Sequence, residues 1–143
     1  MKTFISSLIV FVCIVISVII YATYLNNVAE DLNRILENLS QYTHEENWEM
    51  SEKEIEKLLK KWSKNEAILA MFNDHEDVDN LKLSINELKK DVAFKDKKHI
   101  SKTLTETKIL LERLKKNETL TLENVLGLAP NTEKIIICYN RSF

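Results

Sequence analysis

Hydrophobic and polar positions divide the chain into an apolar N-terminal stretch and a longer part with periodic apolar positions. Residues 4–25 read FISSLIVFVCIVISVIIYATYL, and no charged side chain occurs between Lys2 and Glu30. As a helix this stretch would be about 33 Å long, which matches the ~30 Å hydrocarbon core of a bilayer. A helix also satisfies its own backbone polar groups in lipid. The pattern therefore predicts a transmembrane anchor at residues 4–25.

The side chains that flank this anchor predict its orientation. Lys2 and the free amino group precede it, whereas Glu30 and Asp31 follow it. The positive-inside rule then places the N-terminus in the cytoplasm, and Tyr21 and Tyr24 suit the outer headgroup layer. We expect residues 1–3 to form a cytoplasmic stub, too short for a receptor acting alone. The C-terminal domain is expected to be extracytoplasmic, on a single-pass protein of the cell membrane.

A cleaved signal peptide is the rival interpretation of the apolar stretch. Such a peptide would have an apolar region of about half this length, followed by small residues at the cleavage site. Here Ala22 is preceded two places earlier by Ile20, and Ala29 by Asn27. We therefore predict an uncleaved anchor.

Residues 26–127 have apolar positions at helical spacing, which predicts a helical bundle. The first stripe continues from the anchor without a break, so we expect one rigid stalk. A second helix is predicted after the polar residues 43–47, and a third where the stripe changes phase at residues 73–77. Asp96 is expected to cap a fourth helix, and Thr121 a short fifth one that ends at Gly127. The side chains predicted to form the core are Trp48, Ile55, Leu58, Trp62, Leu69, Phe72, Val78, Leu81, Ile85, Leu88, Leu104 and Leu111.

Composition supports an all-α fold class. The chain has one Gly and one Pro, whereas strands and tight turns need more of both. We predict an N-terminal transmembrane helix followed by an antiparallel bundle of about four helices. Residues 128–143 form a tail of uncertain structure, whose β-prone apolar run packs on the bundle, pairs with another chain, or stays loose.

Charge and cysteine content exclude several classes of function. The net charge is −2 with acidic and basic residues interspersed, which gives no basic stripe for nucleic acid. Cys13 lies in the predicted anchor and Cys138 in the tail, so no disulfide framework is expected. One glycine cannot build a phosphate-binding loop, and no nucleophile has a supporting base. We therefore expect no enzyme and no cofactor.

One acidic segment offers a candidate binding site. On a helix, His75 shares a face with Asp79, and Glu76 is also near Asp79, so an imidazole and two carboxylates could meet a cation. The alternative, which we favour, is that Asp74 caps a helix, the acidic residues favour its positive end, and His75 packs between neighbouring apolar residues, Met71 and Val78. On this alternative no metal binds. Trp62 is a candidate for binding as well as for the core.

Several of these segments together resemble a bacterial family described as domain of unknown function 4363. They are the N-terminal span, Glu46-Asn47-Trp48, Trp62 within KKWSKNEAILAMF, residues 73–79 and residues 120–126. The family pattern Asp-His-x-Glu-Ile-Asp aligns with Asp74, His75 and Asp79, whereas residues 76–78 depart from it. The resemblance implies a short, single-span helical protein of spore-forming Gram-positive bacteria. It draws attention to His75 but implies no activity.

These observations predict a membrane-anchored extracytoplasmic protein that acts as a non-enzymatic interaction or accessory subunit of a membrane or envelope complex. Its expected partners are the lipid bilayer and another membrane or envelope protein. The alternative is an extracytoplasmic ligand- or metal-binding module centred on His75. Convergence of His75, Glu76 and Asp79 with Trp62 around an open pocket would favour that alternative.

Overall fold

The computed structural model describes residues 2–126, with side chains described for residues 5–116. These residues form four helices, α1 (Lys2–His44), α2 (Trp48–Phe72), α3 (His75–Phe94) and α4 (Lys97–Leu126). The predicted all-α class is confirmed for this part of the chain. Gly127 and the tail at residues 128–143 lie outside the described residues.

The helices form an antiparallel bundle in which each helix contacts two neighbours. α1 and α3 each pack against α2 and α4. The core between them is built from the aliphatic stripes that the periodicity predicts. It contains Leu32, Leu36 and Leu39 of α1, Leu58 and Leu69 of α2, Leu81, Ile85 and Leu88 of α3, and Ile100, Leu104, Leu111 and Leu114 of α4.

Helix α1 is continuous over 43 residues, or about 65 Å. Its second half joins the bundle, where Leu25, Val28 and Leu32 are buried, and Tyr21 near the end of the first half contacts Phe72. The first half projects beyond the other helices and leaves its large aliphatic side chains exposed. The continuous stalk expected from the sequence is therefore observed.

The three interhelical turns are short because local caps end and start the helices. The Asn47 side chain accepts a hydrogen bond from the backbone N–H of Met50, 3.3 Å away, which starts α2. Lys95 ends α3 in the left-handed region at φ 55°, and its N–H bonds carbonyl groups of the last turn. The Asp96 side chain then accepts from the backbone N–H groups of Lys98 and His99. The predicted starts of α2 and α4 are both confirmed.

Hydroxyl groups align α3 with α4 inside the bundle. The Ser84 and Thr107 hydroxyl oxygens are 2.7 Å apart and buried. Thr103 donates to a carboxylate oxygen of Asp91 across the same interface, at 2.7 Å. Such polar pairs favour one relative position of two helices, since a shift would break the hydrogen bonds between them.

Two expectations need correction. The predicted fifth helix is wrong, because α4 runs without a break past Thr121 to Leu126; no Gly or Pro interrupts it, and threonine is tolerated inside helices. Phe72 is 57% exposed rather than in the core, because α2 ends there and its ring lies against Tyr21. Trp48 is partly buried against the core, and the other predicted core side chains are buried.

Candidate functional site

The acidic segment at residues 73–79 forms the turn between α2 and α3. The Asn73 backbone N–H bonds the Leu69 carbonyl oxygen at 2.9 Å, which ends α2. One carboxylate oxygen of Asp74 accepts from the backbone N–H of Glu76 at 2.9 Å, which starts α3. Glu76 and Asp77 lie in the first turn of α3, where the helix dipole favours negative charge. The capping role expected of Asp74 is therefore observed.

The predicted cation ligands do not converge in this turn. His75, Glu76 and Asp79 are all exposed. Asp77 points instead towards Arg113 of α4, with 3.9 Å between the carboxylate and guanidinium atoms. Within the described residues, no three His, Cys, Asp or Glu side chains form a group that could hold a metal ion. His75 is also not packed between Met71 and Val78, because it stays in solvent.

Trp62 lies in the core, away from the α2–α3 turn. It is 3% exposed, and ten residues of α2 separate it from Phe72, roughly 15 Å along the helix. Its indole N–H has no hydrogen-bond partner. Trp62 therefore acts as an apolar anchor between helices and does not line a site with His75.

The turn is attached to α1 by contacts that the sequence did not reveal. The Asn73 side-chain amide donates to the hydroxyl oxygen of Tyr21 at 2.6 Å, and the Phe72 and Tyr21 ring centroids are 4.4 Å apart. One turn further along α1, the Tyr24 hydroxyl donates to the side-chain oxygen of Asn65 at 2.6 Å. Both tyrosines thus hold the end of α2 beside the apolar half of α1.

Two interhelical ion pairs lie further from the α2–α3 turn than the Tyr21–Asn73 contact. The Lys61 ammonium bonds a carboxylate oxygen of Asp31 and thereby lowers the pKa of that carboxyl group. Lys82 of α3 bonds a carboxylate oxygen of Glu66 at 2.7 Å, which raises the pKa of the lysine. These pairs link α1 to α2 and α2 to α3. They stabilise the bundle without forming an open binding site.

A second candidate lies at the opposite end of the bundle, between the α1–α2 and α3–α4 turns. A cavity of about 240 Å³ is lined by Ser40, Thr43, His44, Lys97, Ser101 and Leu104. The Lys97 ammonium donates to the His44 carbonyl oxygen at 2.9 Å and lies 3.3 Å from a carboxylate oxygen of Glu46. The cation therefore joins the two turns and is already neutralised by a carboxylate.

His99 in the first turn of α4 was not singled out from the sequence. Its Nδ1 atom lies 2.7 Å from a carboxylate oxygen of Asp96. The same carboxyl group accepts from the His99 backbone N–H, and these bonds lower its pKa. The Asp-x-x-His spacing at a helix start is the signal that would have found this pair. It completes a helix cap.

The comparison with known families addresses the same region of the chain. A family model described as Domain of unknown function (DUF4363) matches residues 19–125. The chain belongs to this family. Comparisons with curated proteins and with solved structures gave no significant match.

The DUF4363 match includes the whole bundle and the end of the apolar half of α1. It starts at Ile19, just before Tyr21, and therefore includes both partners of the Tyr21–Asn73 hydrogen bond. It ends at residue 125, near the end of α4. The family region thus corresponds to a structural unit in which the α2–α3 turn is attached to the base of the stalk.

Proposed function

We propose that this DUF4363 protein is anchored in the cell membrane by the first half of α1 and presents its bundle outside the cytoplasm. The observation that carries the proposal is the exposure of this half on all sides. Phe11, Ile14 and Ile20 are 62%, 56% and 64% exposed, and none of the apolar window is buried. A helix that is apolar all round is stable where its surroundings are apolar too.

The charges beside the anchor support the proposed orientation. Lys2 precedes the apolar half, whereas the acidic residues Glu30 and Asp31 follow it. The positive-inside rule favours a cytoplasmic N-terminus for this arrangement. A protease added to wall-free intact cells should then digest the region after Asn27. Protection of that region to the same degree as a cytoplasmic control protein would reverse the orientation.

The bundle is proposed to be a non-enzymatic interaction or accessory subunit of a membrane or envelope complex. Among the residues whose side chains are described, charged residues that could take part in catalysis have structural roles instead. Asp74 and Asp96 cap helices, and Lys97 joins two turns. These tasks support a role in binding rather than in catalysis.

The outer face of α4 is the surface that best fits a protein partner. A shallow groove along this helix is lined by Lys98, Ser101, Lys102, Thr105, Glu106, Ile109, Leu110 and Arg113. Ile109 is 58% exposed in the midst of this polar surface. An exposed aliphatic residue with arginine nearby and a polar rim is typical of protein interfaces.

Site-specific photocrosslinking in native membranes tests this role. A benzophenone amino acid is placed at Ile109 and, as a matched control, at Leu83, an exposed aliphatic residue of α3 (66%). We expect a light-dependent adduct with another membrane or envelope protein at Ile109 and none at Leu83. Adducts at both positions, or at neither in a folded chain, would contradict the assignment of α4 as the docking face.

A further inference from the structure

The exposed surface of α2 changes character along its length. Towards the start of the helix it carries lysines and glutamates, and the last exposed lysine is Lys64. Towards the end, Ile68, Met71 and Phe72 are 41%, 75% and 57% exposed. Their spacing of three and four residues puts them on one face. The end of α2 therefore has an uncovered apolar face, which we name the α2 tip (Ile68, Met71 and Phe72).

The apolar half of α1 ends beside the α2 tip. The Lys61–Asp31 ion pair and the Asn65–Tyr24 hydrogen bond fix the alignment of the two helices. Below them, Phe72 and Asn73 contact Tyr21. The α2 tip is thus level with the end of the apolar half of α1, and the charged surfaces of both helices lie on the same side of that level.

We propose that the α2 tip is inserted into the interfacial layer of the leaflet from which α1 emerges. This inference rests on the proposed anchoring of α1, and it adds a second contact with the membrane. Tyr21 lies four residues before Leu25, the end of the predicted span, so its level is about 6 Å inside that end. Amphipathic helices bury their apolar faces to a depth of about 5–10 Å. The position of the tip fits this depth.

The acidic start of α3 limits how deeply the tip enters. Asp74 and Glu76 are exposed directly after the tip, and charged carboxylates are costly in hydrocarbon. They therefore keep the α2–α3 turn at the level of headgroups and water, so that the tip enters no deeper than the interfacial layer. With α1 and the tip both in the membrane, the bundle is held at a fixed angle. The face of α4 is then presented in a fixed direction.

Quenching by lipid-attached nitroxides tests the insertion in the full chain. Cys13 and Cys138 are replaced by serine, and one new cysteine is labelled with an environment-sensitive dye in phosphatidylcholine vesicles. The labelled positions are Met71→Cys in the tip, Phe94→Cys as an exposed control at the far end of α3 (81%), and Ile16→Cys within the anchor. Ile68→Cys provides a second position in the tip. Nitroxides are placed either at the headgroup or deep in the acyl chain.

We expect headgroup nitroxides to reduce the fluorescence at Met71 and Ile68 roughly twofold or more, and deep nitroxides to act most strongly at Ile16. Phe94 should show the small effect of a label in water. Fluorescence at Met71 and Ile68 that behaves like Phe94, with Ile16 still quenched, would overturn the insertion of the tip alone. The proposal would also be overturned if the dye at Met71 reported an apolar environment but was not quenched by the lipid nitroxides. That result would indicate that a protein covers the tip. Absence of quenching at Ile16 would instead contradict the anchor.

Discussion

Both halves of α1 are rich in large aliphatic residues, but they differ in the distribution of charge and in what they contact. In the first half, Ile14, Ile16 and Ile19 are at least half exposed, and no charged residue interrupts the surface. In the second half, Leu32, Leu36 and Leu39 are almost completely buried, and charged residues such as Glu30 and Arg34 cover the outer face. No break in the helix separates the two.

The comparison shows that one continuous helix has two surfaces of different character. The second half has a polar outer face, so packing one stripe on the bundle is sufficient in water. The first half has apolar side chains on every face, and none of its most apolar window is buried in the bundle. Tyr21 and Tyr24 lie between the halves and bond the end of α2. The boundary is therefore a structured joint at which the proposed membrane surface and the base of the bundle meet.

The largest expected effect comes from adding charge to the first half. Ile14→Arg combined with Ile16→Arg should raise the apparent free energy of membrane insertion by roughly 5–7 kcal/mol, because each arginine near the bilayer centre is costly. A translocon insertion assay measures this change. The control pair, Leu83→Arg with Ile109→Arg, changes residues that are equally exposed (66% and 58%) but lie on the bundle. If both pairs changed the insertion free energy equally, the first half of α1 would behave like the exposed surface of the bundle, and the proposed difference between the halves of α1 would be lost.

The second half should instead be sensitive to the loss of packing. Trp62→Ala removes a buried anchor of the core to which α1 contributes, so the free energy of unfolding should fall by about 3–5 kcal/mol. Denaturant unfolding of the full chain in detergent, followed by circular dichroism, measures the loss. Phe94→Ala, which truncates an aromatic side chain that is 81% exposed, should change stability by about 0.5 kcal/mol or less. If Trp62→Ala unfolded with the same free energy as the parent, the stability of the core would not depend on this residue.

A smaller effect is expected at the start of the charged half. Lys61 lowers the pKa of Asp31 below its ordinary value of 3.8, so the folded state favours the ionised carboxyl group. The resulting stability is present above pH 3.8 and is lost as the pH falls through the lowered pKa. Because Asp31 is 40% exposed, Asp31→Asn should cost less than about 1 kcal/mol at neutral pH. The difference from the parent should vanish once the pH is well below the lowered pKa of Asp31.

Unfolding measured over this pH range, with Glu30→Gln as the control for loss of one neighbouring negative charge, isolates the Asp31 contribution. A difference between the parent and Asp31→Asn that persists at the acidic end would mean that the carboxylate acts through something other than its charge.

The smallest effect is expected at His75, at the start of α3 beside this joint. His75 is exposed and outside any metal-binding group within the described residues, so His75→Asn should change the unfolding free energy by less than about 0.5 kcal/mol. Zn²⁺ or Mn²⁺ should not raise the melting temperature of the parent or of the control His99→Asn. A bound metal would stabilise the fold by about 2.7 kcal/mol at a hundredfold excess over Kd. If metal raised the melting temperature of the parent and of His99→Asn, but not that of His75→Asn, the metal-binding alternative would be restored.

The sequence predicted the features that depend on local interactions. The start of α2 followed from the polar residues 43–47. The starts of α3 and α4 followed from the expected caps Asp74 and Asp96, whose side chains bond backbone groups two residues away. The aliphatic stripe followed from helical periodicity. Thr121 misled the same reasoning, because a residue that favours caps also occurs inside helices when nothing else ends them.

Features that depend on distant residues could not be predicted in this way. Tyr21 and Asn73 are far apart in the chain, and their hydrogen bond exists only because α2 returns to the base of α1. The exposure of Phe72 has the same origin, because the apolar periodicity of α2 does not show where the helices packed against it end. The prediction of a cation site at His75, Glu76 and Asp79 assumed, from their spacing alone, that the three side chains converge. The cap formed by Asp74 instead leaves those side chains in solvent.

Alkaline extraction of native membranes, followed by density flotation of the unaltered full chain, tests the account most directly. The account predicts that the chain stays with the lipid after extraction and floats, because the exposed first half of α1 lies in the hydrocarbon core. Release of the chain into the alkaline supernatant, with an integral membrane control still floating, would contradict the membrane anchor and every inference that depends on it.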